Sequence, residues 1–156
     1  MSKKSKRYQV ILVWNFNHIY IVPFTLRNII NMAIKILFID DNDMFRKAVS
    51  NTLQCMNFDV TPLNDGKFVI NCLKQNKYDI IVMDILMPDK DGFETIREIR
   101  KFDERIPIIA ITGDGPFEFN QNLIIAEQLG ANDSMMKPFN VSDLVEKINN
   151  ILVSKH

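Results

Sequence analysis

Five side chains stand out by type and by where they fall: Asp40 and Asp41, Asp84, Thr112 before Gly113, and Lys137 before Pro138. Each follows or closes a short apolar run, which is where a buried strand ends. Carboxylates gathered at one place repel one another and do not all stay ionised unaided. A divalent cation removes that conflict, and Mg²⁺ suits it, since Mg²⁺ takes oxygen ligands and keeps waters beside one or two carboxylates. One carboxylate is then a nucleophile toward phosphorus while the metal neutralises charge on the moving phosphoryl group. The Lys137 ammonium suits a second phosphoryl oxygen and the Thr112 hydroxyl a third, with Gly113 leaving room beside it. Taken singly these residues say little. Thr-Gly fits any turn, a lone lysine is usually a surface charge, and Asp41 or Asp43 would serve as a plain helix N-cap. The combined set points to chemistry.

Strands and helices must alternate to bring the set together. Ile34–Ile39, Asp79–Met83 and Pro107–Ile111 are apolar runs of the kind buried on both faces of a parallel sheet. Phe58–Thr61, stopped by Pro62, and Asp133–Met136 are shorter strand candidates. Asp43–Met56, Asp65–Gln75, Gly92–Arg100, Phe117–Leu129 and Val141–Val153 carry apolar residues at helical spacing. Gly130 ends the fourth helix, and Asn140 with Asp143 resembles a capping box opening the last. Strict alternation predicts an α/β fold: a doubly wound five-stranded parallel sheet joined by right-handed crossovers. Such a sheet binds ligands at the carboxyl ends of its strands, at a topological switch point.

The chain has 156 residues, enough for one domain with a real core. Its 47% hydrophobic and 24% charged content excludes disordered and collagen-like classes. Residues 1–31 hold five basic side chains and no acidic one, so 32–156 holds 14 basic against 19 acidic. An acidic body without a basic cluster argues against direct DNA binding. Cys55 and Cys72 lie in helical stretches, form no metal pattern and suit a reducing compartment. Residues 8–24 are apolar but interrupted by Gln9, Asn15, Asn17 and His18, which is unlike a membrane span or a secretory signal. We expect 1–31 to be a basic and apolar N-terminal extension to a body at 32–156, with Met32 as the functional start. Weak contact of 1–31 with a membrane surface is the alternative.

Phe38-Ile-Asp-Asp41, Met83-Asp-Ile-Leu-Met-Pro-Asp-Lys-Asp-Gly92, Ile111-Thr-Gly113 and Lys137-Pro-Phe139 stand in that order at the strand ends. Through them the stretch from 32 to the end resembles the receiver domain of two-component response regulators. The resemblance implies a flavodoxin-like (βα)5 fold with strand order 2-1-3-4-5. It implies Asp84 as phosphoacceptor, with phosphoryl supplied by a histidine kinase or a histidine phosphotransfer protein. It further implies Asp41 as a direct Mg²⁺ ligand, Asp40 as one acting mainly through water, and the Leu86 carbonyl as a backbone ligand. Thr112 and Lys137 match the switch hydroxyl and the phosphate-binding lysine, and Lys137–Pro138 is a candidate cis peptide. Asp91-Gly92 matches the turn into the third helix.

Two departures stand out. Many receivers carry an aromatic residue three positions before the lysine, and here that residue is Ser134. The loop Asp114-Gly-Pro-Phe-Glu-Phe119 is also long, so Phe117 and Phe119 are expected to carry the conformational signal. With only Ser-Lys-His after Val153, no DNA-binding module is expected to follow. The expectation is a cytoplasmic single-domain response regulator that signals by protein–protein contact or onward phosphotransfer. It is not expected to be an enzyme with a separate substrate. A phosphorylation-independent interaction module of the same fold is the alternative. A small Asp-nucleophile phosphatase would want a second aspartate where Leu86 stands, and a flavin carrier would not place Asp40-Asp-Asn-Asp43 at the flavin phosphate.

Overall fold

A computed structural model describes residues 10–15, 18–23, 33–88, 91–113 and 119–154, with side chains from 33 onward except at 119 and 120. The chain divides into two compact units, Met1–Ala33 and Ile34–His156. In the first, β1 (Val10–Asn15) and β2 (His18–Pro23) pair antiparallel, with Val10 opposite Pro23 and Asn15 opposite His18. The sequence reading placed no element there. Val10, Ile11, Val13, Ile19, Ile21 and Val22 are β-branched, which favours extended backbone. The short separation between the strands is hairpin spacing. Among the described residues, no helix is long and apolar enough to cross a membrane.

The second unit carries β3 (Lys35–Ile39), α1 (Asp43–Cys55), β4 (Asp59–Leu63), α2 (Val69–Gln75) and β5 (Ile80–Asp84). It continues with α3 (Gly92–Phe102), β6 (Ile108–Thr112), α4 (Phe119–Gln128), β7 (Asp133–Met136) and α5 (Val141–Ser154). Its five strands are parallel in the order β4-β3-β5-β6-β7, the expected 2-1-3-4-5. Successive strand residues face opposite sides. Leu37, Ile39, Ile81, Met83 and Ala110 therefore pack under Val69 of α2, Ile96 and Ile99 of α3 and Ala126 of α4. Ile36, Phe38, Ile80, Val82 and Ile111 pack under Val49 and Leu53 of α1 and Leu144 and Ile148 of α5. Burying one such side chain contributes about 1.5–3 kcal/mol, so these two layers hold the sheet edge rigid beneath the site.

Several boundaries differ from expectation. β4 runs through Pro62, which lies opposite Phe38 on an edge strand, where a missing N–H is tolerated. The second helix does not begin at Asp65; that side chain caps a 3₁₀ turn at Gly66–Phe68, and α2 follows. Neither Asp41 nor Asp43 caps α1, because Asn42 Oδ1 accepts from Phe45 N at 3.0 Å. Asp84 and Thr112 are the last residues of their strands, so the sheet itself aims their side chains. Gly92 must be glycine, since a Cβ there would lie 2.4 Å from Ile85 Cα; that contact seats α3 against the exit of β5.

Candidate functional site

β3 and β5 are neighbours whose connections leave toward opposite faces of the sheet, and the crevice this creates lies at their carboxyl ends. Asp40 follows β3 and is fully buried. Its Oδ1 accepts from Asn42 N at 2.9 Å, and its carbonyl accepts from Arg46 Nη1 at 2.7 Å. Both bonds come from the start of α1 and fix the loop. Asp41, one residue on, is exposed. Asp84 closes β5 and is buried, its Oδ1 accepting from Leu86 N at 2.9 Å.

Lys137 reaches both buried carboxylates. Its Nζ lies 2.6 Å from Asp40 Oδ2 and donates to Asp84 Oδ2. The Asp40 approach has an ion pair's separation without a well-aligned hydrogen bond, and at that range the charge attraction does not depend on alignment. The Lys137 N–H donates to the Thr112 carbonyl at 2.8 Å, which sets the two side by side. The Lys137–Pro138 bond is cis. The Thr112 hydroxyl is buried and, among the described residues, has no hydrogen-bond partner. A Cβ on Gly113 would sit 3.6 Å from Lys137 Cδ, an ordinary contact, so glycine is not sterically required there.

Carboxylate oxygens of Asp40, Asp41 and Asp84 all lie within 4.8 Å of one another. Among the described residues, Lys137 pairs with two of the three carboxylates, so the cluster carries an excess of negative charge that a divalent cation would balance. All-oxygen donors are the chemistry of Mg²⁺ rather than of a thiolate or imidazole metal. Burial pushes the Asp84 carboxyl above its ordinary range, and the bonds from Lys137 and Leu86 only partly offset it. For Lys137, burial alone would lower the ammonium's pKa; its close approach to the Asp40 and Asp84 carboxylates outweighs that and raises it.

The structure therefore gathers Asp40, Asp41, Asp84, Thr112 and Lys137 at one edge, and Leu86 touches the site through its main-chain N–H. Asp91 caps α3, its Oδ1 accepting from Phe93 N at 2.9 Å. The expectations for Phe117 and for the Phe119 side chain fall outside the described residues. Sequence reasoning missed Arg46 and Phe45. The latter counted only as a core position of α1, yet the Lys137 ammonium lies 4.6 Å from its ring centroid. It also gave Ser134 no role, whereas Ser134 Oγ donates to Glu127 Oε1 of α4 at 2.8 Å.

Residues 36–149 match the family model of the response regulator receiver domain. The chemotaxis protein CheY-3 of Vibrio cholerae is 33% identical over 126 residues, covering 79% of this chain and 95% of its own. The probable transcriptional regulator ycf27 of Guillardia theta is 34% identical over 118 residues, and the match covers 45% of that protein. This chain spans about half the length of several such regulators. Among solved structures, the Francisella response regulator 1452 receiver domain superposes with a TM-score of 0.70 at 27% identity, over 79% of this chain and 99% of that one.

Proposed function

This chain belongs to the family of response regulator receiver domains, and from that premise we propose that it is a phosphoryl-accepting switch whose acceptor is Asp84. The observation that carries this reading is the edge where Asp40, Asp41 and Asp84 converge with Lys137 between the buried pair. An Asp84 carboxylate oxygen forms a bond to phosphorus as the bond from phosphorus to the donor's imidazole nitrogen breaks. The electron pair leaves with the imidazole, which takes its proton from solvent. Mg²⁺, when bound by Asp41, by Asp40 through water, by Asp84 and by the Leu86 carbonyl, supplies charge neutralisation for that transfer.

The protein's own groups do the rest. Buried Asp40 is fixed by its bond from Asn42 N and faces the Lys137 ammonium. Lys137 exchanges a carboxylate partner for a phosphoryl oxygen, and the Thr112 hydroxyl gains the acceptor it lacks. The donor is a histidine kinase or a histidine phosphotransfer protein. The output is contact with a protein partner or onward transfer, as a cytoplasmic single-domain regulator with no separate substrate turnover.

Incubation with acetyl phosphate and Mg²⁺ tests it by intact mass. One phosphoryl group is expected on the wild-type chain, and none with chelator or with Asp84→Asn. Equal uptake by Asp84→Asn would overturn the assignment.

A further inference from the structure

We propose that Phe45 is a positioning residue for Lys137, holding the ammonium at the site through the face of its ring. The inference rests on the reading of Lys137 as the phosphoryl-binding group and adds a residue to it. Lysine carries its charge on a flexible four-carbon stem, so two carboxylates alone leave the head several ways to sit. The ammonium lies 4.6 Å from the Phe45 centroid, inside the roughly 6 Å range of a cation–π contact.

The ring is itself held. Phe45 N is bonded to the Asn42 cap at 3.0 Å. Its ring meets Phe139 edge-on, with centroids 5.5 Å apart and planes at 89°, and lies 6.5 Å from Phe38. Phe38 precedes Asp40 and Phe139 follows Lys137 by two residues, so the ring links both arms of the site.

A ring suits this place better than the alternatives. A fourth carboxylate would hold the ammonium against transfer to a phosphoryl oxygen. An aliphatic side chain would strip water from the charge and return nothing. A ring face attracts the cation without consuming a hydrogen bond. An ammonium has three donors, and the ring takes none of them, so Lys137 can pass from a carboxylate to an incoming phosphoryl oxygen without leaving the ring.

The test uses the full chain with Mg²⁺ and beryllofluoride as phosphoryl mimic, comparing Phe45→Leu with Phe45→Tyr. We expect Phe45→Leu to weaken beryllofluoride binding roughly 3- to 30-fold, and Phe45→Tyr to stay within about twofold of wild type. In the mimic-free protein, the Lys137 Hε resonances should be shifted upfield by the ring in wild type and Phe45→Tyr, and lose that shift in Phe45→Leu. Should Phe45→Leu fail to fold, pentafluorophenylalanine at position 45 keeps the ring's outline and reverses its quadrupole, and the same loss of affinity is expected. Undiminished affinity with leucine or with pentafluorophenylalanine at position 45, equal losses for Leu and Tyr, or no upfield shift in wild type would overturn the proposal. Failure of the phosphoacceptor reading looks different: wild type would then bind no beryllofluoride, while the resting Lys137 resonances would still report the ring contact.

Discussion

Two half-buried cations sit at opposite edges of the same sheet and are partnered in opposite ways. Arg100 lies where β6 and β7 begin. Its Nε and Nη2 donate to the Gly130 carbonyl at 2.9 and 2.7 Å, and Nη2 also donates to Asn132 Oδ1 at 3.1 Å. Its Nη1 donates to the carbonyls of Ile106 at 2.8 Å and Asp103 at 3.2 Å. Gly130 has φ +114, and a Cβ there would stand 2.8 Å from Arg100 Nε, so the close fit depends on glycine. Every guanidinium nitrogen is bonded, and every acceptor is neutral. Lys137, at the other edge, faces two carboxylates, beside a third that is exposed and a buried hydroxyl without a partner. The first cluster is saturated and can only hold elements together. The second is short of positive charge and of an acceptor, which is what a bound metal and a phosphoryl group would supply.

Substitutions that separate function from stability break this contrast most severely if it is wrong. Asp84→Asn should abolish phosphoryl uptake while leaving the urea midpoint unchanged or higher, because burial of the Asp84 charge costs more than its bonds from Lys137 and Leu86 return, and Asp40 still faces the ammonium. Arg100→Ala should do the reverse: a loss of about 2–4 kcal/mol in urea titration, from carbonyls left without donors, with uptake by the folded protein retained.

A pH series sharpens the Lys137 side. Its pKa is raised above the ordinary lysine value of 10.5 in the folded chain. A raised folded value means the stabilisation is fully present below the unfolded value and is lost as pH climbs from there through the raised folded one. Melting temperature should therefore fall more steeply above pH 10.5 in wild type than in Lys137→Met, and parallel curves would show that the pair contributes nothing. The effect of Thr112→Val should be smaller and of opposite sign. Removing an unpartnered buried hydroxyl should leave stability equal or raise it by about 1 kcal/mol, while beryllofluoride binds more weakly. The smallest change is expected for Ser134→Ala, which removes an exposed bond to Glu127 and should cost less than about 1 kcal/mol by thermal melting.

What was legible in the sequence follows the same physics. The central strands were plain because both faces are buried, so Ile36–Ile39 and Ile80–Met83 are apolar without a break. The site was plain because chance seldom places three carboxylates, a hydroxyl and an ammonium at strand ends. Pro62 misled because the edge position that tolerates it is set by the sheet order, which local sequence does not contain. Met135 and Met136 are adjacent and of one residue type, but pleating sends Met135 inward and leaves Met136 45% exposed. Phe45 was counted as core because helical spacing says which face of α1 is covered, not that a distant lysine covers it. The paired strands at 10–15 and 18–23 were hidden by polar interruptions that matter to a membrane span and little to strand pairing.

The central claim is that the open cluster, and Asp84 within it, receives the phosphoryl group. Borohydride reduction after acetyl phosphate treatment tests it most directly, because an aspartyl phosphate is reduced to homoserine while free carboxylates are untouched. Peptide mapping should find homoserine at position 84, only with Mg²⁺ present, and none in Asp84→Asn. Homoserine at another aspartate in the wild-type chain, or no reduction of a protein that has gained a phosphoryl group, would contradict the account.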